Sequence, residues 1–280
     1  MYIDAHQHFW RYDSREYGWI DDSMASLRRD FLPSDLEPEL QRNGFEGCVT
    51  VQVRQTLEET RWLLELADVT PFIVGVVGWV DLTSPRLRFD LQQIAANSKL
   101  VGVRHIVQSE PDDRFLLRRD FLEGVAILEE FGLAYDILIY HRHLPVALEF
   151  VRQLPKQRFV LDHLAKPAIK QRELRAWAAG IRDLASLPNV MCKLSGLVTE
   201  ADWSSWTRDQ IRPCLDVAFE YFGPDRLMIG SDWPVCTLAA SYSGVIEVVA
   251  DYLKSFPTET REAVMGGNAR RFWRLKPQVG

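Results

Sequence analysis

Cysteine is scarce: four residues in 280 (Cys48, Cys192, Cys214 and Cys236), widely spaced and with no CxxC pair. That excludes a disulfide framework and a zinc ribbon, and leaves reduced, buried thiols as the expectation. No apolar run approaches the roughly 18 residues that a membrane-spanning helix needs, so no membrane partner is expected. The opening Met-Tyr-Ile-Asp-Ala-His-Gln-His has no charged segment leading into an apolar one. A secretory signal is therefore not expected, and a cytoplasmic protein is. Basic blocks are missing too. With 33 Lys and Arg against 39 Asp and Glu, the net charge is −6, which disfavours nucleic acid as a partner.

Apolar residues make up 47% and charged residues 26% of the chain, a composition that buries a core and rules out disorder. Eight short aliphatic runs recur along it: Tyr2–His8, Gly47–Val53, Phe72–Val80, Leu100–Ile106, Leu133–Tyr140, Arg158–Leu164, Val190–Leu197 and Arg226–Asp232. Most are nearly continuous rather than alternating, as suits parallel strands covered on both faces. Between them, Leu57–Asp68, Phe121–Glu130, Leu144–Leu154, Arg172–Leu187 and Gln210–Phe222 carry helical spacing. Gly132, Pro188-Asn189 and Gly223-Pro224-Asp225 punctuate the joins. Strand and helix in eightfold alternation predict a single-domain (β/α)8 barrel over residues 1–280. A doubly wound open sheet is the alternative, but it usually carries a Gly-rich phosphate loop after its first strand, and this chain has none.

In such a barrel the chemistry sits at the C-terminal ends of the strands. All six histidines (His6, His8, His105, His141, His143 and His163) fall at or just past the end of a predicted strand. One such histidine is easily a structural hydrogen-bonder; six on one rim point to a site. His6 and His8 are two apart on one strand and share a face, so the pair can hold a divalent metal or polarise a carbonyl. Asp232 ends the eighth run, Gly230-Ser-Asp-Trp-Pro234, which neighbours the first in a closed barrel. A carboxylate there can deprotonate water and return the proton to a leaving group.

Three motifs in register carry a family resemblance: Tyr2-Ile-Asp-Ala-His-Gln-His8, Leu161-Asp-His-Leu-Ala-Lys-Pro167 and Met228-Ile-Gly-Ser-Asp-Trp-Pro234. Gly102-Val-Arg-His105, Lys193-Leu-Ser-Gly-Leu197 and the terminal Gly266-Gly-Asn-Ala-Arg-Arg-Phe-Trp273 add to it. Over nearly the whole chain the sequence resembles the amidohydrolase superfamily, in the branch acting on lactones of the L-fucono, L-rhamnono and 2-pyrone-4,6-dicarboxylate type. The resemblance implies that His6, His8 and His163 polarise the substrate carbonyl and that Asp232 activates water. Together these four form a candidate metal set. Binuclear relatives carry a bridging Lys or Glu on the fourth strand and a His within the fifth. Here those strands offer Arg104 with His105, and Asp136 with Tyr140 before His141. The expectation is at most one divalent ion, zinc first, with turnover depending on it weakly or not at all.

Other rim residues are candidates for binding substrate. Arg104 suits a hydroxyl or an oxyanion, or pairs with Asp136 or Glu110. His105 follows it and should face the other way, so one of the two reaches substrate. Lys193 lies inside an apolar strand and needs a partner, either substrate or a carboxylate of a neighbouring strand. Lys166 is a further cation near a strand end. His141, and Trp79 and Trp233 among several rim tryptophans (Trp10, Trp203 and Trp206 being the others), could line a sugar-binding pocket. The stretch Phe9–Pro33 mixes aromatic and charged residues without helical period and reads as a lid. The activity expected is hydrolysis of a small sugar-acid lactone. A metal-dependent decarboxylase and a non-catalytic sugar-acid-binding barrel are the alternatives, and the sequence does not settle the oligomeric state.

Overall fold

The structure, a computed structural model, is described here for residues 1–276. Eight parallel strands form one sheet in sequential order: β1 (Tyr2–Gln7), β2 (Phe45–Val51), β3 (Ile73–Gly78), β4 (Leu100–His105), β5 (Ala134–Ile137), β6 (Phe159–Leu161), β7 (Val190–Leu194) and β8 (Leu227–Ile229). The seam between β8 and β1 is drawn shut by the amide of His8 donating to the Trp233 carbonyl (2.7 Å) and that of Asp232 donating to the His6 carbonyl (2.8 Å). Helices α1 (Pro33–Arg42), α2 (Leu57–Val69), α3 (Leu87–Ile94), α4 (Arg119–Ile127), α5 (Leu144–Gln153), α6 (Arg175–Ala185), α7 (Arg208–Phe222) and α8 (Tyr242–Leu253) follow the strands in turn. This is the expected (β/α)8 barrel.

Local chemistry sets the element boundaries. Thr56 and Ser241 accept the amides of Glu59 and Gly244 and so begin α2 and α8. Gly132, at φ +67°, ends the turn after α4 in the left-handed conformation. Two buried clusters result. The larger lies between sheet and helices; the smaller, with Ile3, Val49, Val77 and Met228, fills the barrel and packs on Trp273 and Leu275 from the C-terminal segment.

The predicted strands run too long at their C-terminal ends, and the reason bears on function. Expected Arg158–Leu164 stops at Leu161, because His163, Leu164, Ala165 and Lys166 all take positive φ (52° to 58°). Asp232 does the same at φ +58°, beyond the end of β8. Left-handed non-glycine residues cost roughly 1–2 kcal/mol each, and such strain concentrates where a site needs it. Aliphatic content marks the run; it cannot register where the backbone turns out of the sheet. Similarly, the helix expected from Arg172 starts at Arg175, since Arg172 itself sits at φ +59°.

The segment Phe9–Pro33 has a single short 3-10 turn, Asp22–Leu27. It is pinned by a bridge between Trp10 and Phe31, around which Tyr17 and Trp19 pack. All four cysteines are free and buried. Among the described residues no helix is long and apolar enough to cross a membrane.

Candidate active site

The strand ends bring His6, His8, His163 and Asp232 together as the motifs require. Nε2 of His6 lies 3.2 Å from Nε2 of His8, and Oδ1 of Asp232 lies 3.3, 3.8 and 3.9 Å from Nε2 of His8, His6 and His163. All four are nearly or fully buried. His8, His163 and Asp232 line a cleft of about 730 Å³, open mouth included. Its walls are polar at Arg104, Gln108 and Lys166, and apolar at Val53, Leu138 and Trp19.

The partners behind each ring decide what the front offers. Nδ1 of His8 faces the Val51 carbonyl at 2.7 Å, and a carbonyl can only accept, so Nδ1 carries the proton and Nε2 a lone pair. For His6, Nε2 faces a guanidinium nitrogen of Arg104 at 3.3 Å, which can only donate, while Nδ1 stands between the Lys193 ammonium at 3.2 Å and the Asp162 carboxylate at 3.3 Å. The His8 lone pair and a carboxylate oxygen of Asp232 therefore face each other at 3.3 Å, with Nε2 of His6, which Arg104 also reaches, 3.2 Å from that of His8. Such a set is repulsive alone and is satisfied by a cation or by the protons of a water molecule. The separations match the ~3.4 Å edge of a tetrahedron with ligand bonds of roughly 2.0–2.2 Å, so His6, His8 and Asp232 fit a divalent ion. The second possible grouping, His6 with Asp162 and His163, fits less well, because the Asp162 oxygens already face Arg104 and Lys193 at 3.0 and 2.9 Å.

Protonation follows from burial and charge. Burial pushes His6 well below the usual imidazole range, against the pull of Asp162, and pushes His163 down to about 4, against Asp232 and Asp162. For Asp232 burial acts upward, but His163, His8 and His6 outweigh it and hold the carboxyl below its ordinary value. Asp232 is thus ionised, and the His6 and His163 rings are neutral, near pH 7.

Close approach explains two glycines. A Cβ on Gly230 would stand 2.8 Å from the His6 Cβ, and one on Gly196 (φ +65°) would stand 2.7 Å from Nδ1 of His163. Ser195, beside Gly196, places its hydroxyl 2.9 Å from that same Nδ1. Asp4 buttresses the other side, accepting from the Ser231 amide (2.9 Å) and hydroxyl (2.6 Å) next to Asp232.

Several expected substrate contacts are placed elsewhere. Lys193 is fully buried under His6, with Nζ 2.5 Å from Asp136 and 2.9 Å from Asp162, so the anticipated substrate contact gives way to the buried ion pair. Arg104 does reach the cleft, but its partner is Asp162 rather than Asp136 or Glu110. His105 turns to the opposite face, as alternation demands, where it meets Glu110 at 2.6 Å and stacks on Phe115. Trp79 donates to His105 there (3.3 Å), Trp233 packs between Phe9 and Phe31, and His141 donates to the Lys166 carbonyl (3.1 Å); none of the three lines the cleft. His143 is buried against Asp113. Sequence reasoning passed over Asp162, although an acid ending the apolar run Phe159-Val-Leu161 was a visible signal. Trp19, the aromatic at the cleft, is not among the tryptophans singled out from the sequence, although it lies within the Phe9–Pro33 stretch that reads as a lid.

The amidohydrolase family model matches residues 3–275. The chain is 44% identical to an L-fucono-1,5-lactonase of Burkholderia multivorans, over 98% of this chain and 96% of that one. It is 39% identical to an L-fucono-1,5-lactonase of Burkholderia ambifaria, over 99% and 97% of the two chains. Among solved structures, a zinc-bound amidohydrolase from Burkholderia multivorans superposes with a TM-score of 0.95 at 43% identity, covering 99% of this chain and 100% of that one.

Proposed function

This chain belongs to the amidohydrolase family, and from that premise we propose that it opens a sugar-acid lactone of the L-fucono-1,5-lactone type to the aldonic acid. The observation that carries the reading is a pair of facing acceptors, Nε2 of His8 and Oδ1 of Asp232 at 3.3 Å, with Nε2 of His6 and of His163 beside them at 3.8 and 3.9 Å from that oxygen. Ester hydrolysis needs that polarity: acceptors for the protons of a water and a donor for the carbonyl oxygen.

The acceptors hold the water with one O–H toward Asp232 and the other toward His8. Asp232 takes the first proton as oxygen adds to the lactone carbonyl carbon. We assign the His163 proton to Nε2, where it serves the oxyanion, with the Ser195 hydroxyl, 2.9 Å from Nδ1, as the donor on the other side. When the ring C–O bond breaks, the proton on Asp232 passes to the departing ring oxygen. His6, His8 and Asp232 would hold a single divalent ion, zinc first, and a bound ion would lower the pKa of the water and polarise the carbonyl. The segment Phe9–Pro33 acts as a cover, with Trp19 against the apolar side of the sugar ring.

The two lactonase relatives weigh against decarboxylation and against a binding-only barrel. A panel of pentono- and hexonolactones, followed with a pH indicator, tests the reading. Acid release well above the spontaneous rate is expected. Turnover of a dipeptide or a phosphotriester with no lactone opening would refute it.

A further inference from the structure

Three cations stand near the four central residues, and two are already committed. Arg104 directs Nη1 at Asp162 (3.0 Å) and at His6 (3.3 Å), and Nη2 at the carbonyl and the side-chain oxygen of Gln52. Its four terminal protons thus all have acceptors. Lys193 is sealed under His6 between two carboxylates. Lys166 differs. Its side chain is 19% exposed and lines the cleft, and its Nζ has an ion-pair partner, Glu200, only at 3.8 Å. Among the described residues no acceptor lies within hydrogen-bond reach of that ammonium.

The backbone is built to put it there. His163 and Lys166 begin and end the run of four left-handed residues, tied by the Lys166 amide donating to the His163 carbonyl (2.8 Å). Two loops then converge on this lysine: in the one after β5, His141 donates to its carbonyl and the Tyr140 ring lies 5.5 Å from Nζ, and the one after β7 supplies Glu200. Strain of this kind in a non-glycine run persists only where the surroundings over-determine it.

We propose that Lys166 is a catalytic residue that hydrogen-bonds the ring oxygen of the lactone, the leaving oxygen, and that Glu200 is the positioning residue that aims it. The inference rests on the lactonase reading above. In the hydrolysis the acceptors serve the water and His163 serves the carbonyl oxygen, while the ring oxygen gains negative charge with no other uncommitted cation beside it. The Lys166 ammonium stabilises that charge and keeps its protons. The proton that neutralises the departing oxygen is the one Asp232 took from water, so the C–O bond breaks with its electron pair on oxygen and no further reagent is consumed.

The test measures kcat and KM separately on an aldonolactone for the intact enzyme and for Lys166→Met, Lys166→Arg and Glu200→Gln, with melting temperatures alongside. Removing a donor to developing charge should lower kcat of Lys166→Met by roughly 10²–10³-fold, with KM within about threefold. Lys166→Arg should regain about tenfold of that loss, and Glu200→Gln should lower kcat by about fivefold, since each keeps part of the charge geometry. A raised KM with unchanged kcat would assign Lys166 to a substrate hydroxyl and overturn the proposal, as would unchanged values of both. Should Lys166→Met not fold, Lys166→Arg and Glu200→Gln decide: unchanged kcat in both overturns it. A wild-type enzyme that fails to open any lactone refutes the lactonase reading itself, and this proposal with it.

Discussion

Replacing Gly196 by alanine isolates the placement of one ring. Alanine at φ +65° costs about 1 kcal/mol in backbone strain. Its Cβ would also stand 2.7 Å from Nδ1 and 2.8 Å from Cγ of His163, against an ordinary contact of 3.4 Å or more. The ring must retreat by roughly 0.7 Å, which breaks the 2.9 Å contact with Ser195, worth about another 1 kcal/mol. The total, about 2 kcal/mol, corresponds to a fall in melting temperature of roughly 4–8 °C for a chain of this size. Misplacement on the scale of an ångström costs about 10²-fold in rate, so kcat/KM on an aldonolactone should drop by that order. Gly132→Ala is the control. Its φ of +67° imposes the same strain, but its Cβ would meet nothing within 4 Å, and it lies away from the cleft. It should lose about 1 kcal/mol and no activity. The comparison needs only thermal melts and initial rates. If Gly196→Ala keeps kcat/KM within about threefold of wild type, the placement of His163 by Ser195 and Gly196 does not matter and its assigned role is wrong.

Asp232→Asn preserves shape and removes the proton acceptor, so kcat should fall by roughly 10²–10⁴ with little change in melting temperature; near-normal turnover would remove Asp232 from the mechanism. Lys193→Met leaves Asp136 and Asp162 buried without their shared cation and should destabilise by about 3–5 kcal/mol, read from denaturant midpoints. His163 has its folded pKa lowered from 6.5 to about 4, so the unfolded chain binds its proton first. Its contribution to stability is complete above pH 6.5 and declines by about 3 kcal/mol as pH falls toward 4. His163→Gln should abolish that part of the pH dependence, and an unchanged profile would contradict the burial argument. Elemental analysis should find at most one divalent ion per chain, with turnover largely surviving prolonged chelation; two tightly held ions, or activity lost and restored by zinc, would contradict the single, dispensable ion.

What the sequence by itself determined is whatever depends on local order along the chain. Aliphatic runs alternating with helical spacing impose eight strand–helix units, because each segment must bury its own apolar face. Parallel closure then sets β8 beside β1, so Asp232 had to meet His6 and His8. Side-chain alternation also turned His105 away once Arg104 faced inward. What only the tertiary structure decided is which polar groups already have partners. Lys193 and Lys166 look alike in sequence as cations near strand ends, yet one is sealed between two carboxylates and the other faces the cleft. The difference comes from residues 57 and 31 positions away from Lys193, Asp136 and Asp162, and from a left-handed backbone at 163–166 that no propensity announces. Charge satisfaction is a property of three-dimensional neighbours, and a neighbour across the barrel leaves no mark on the local pattern.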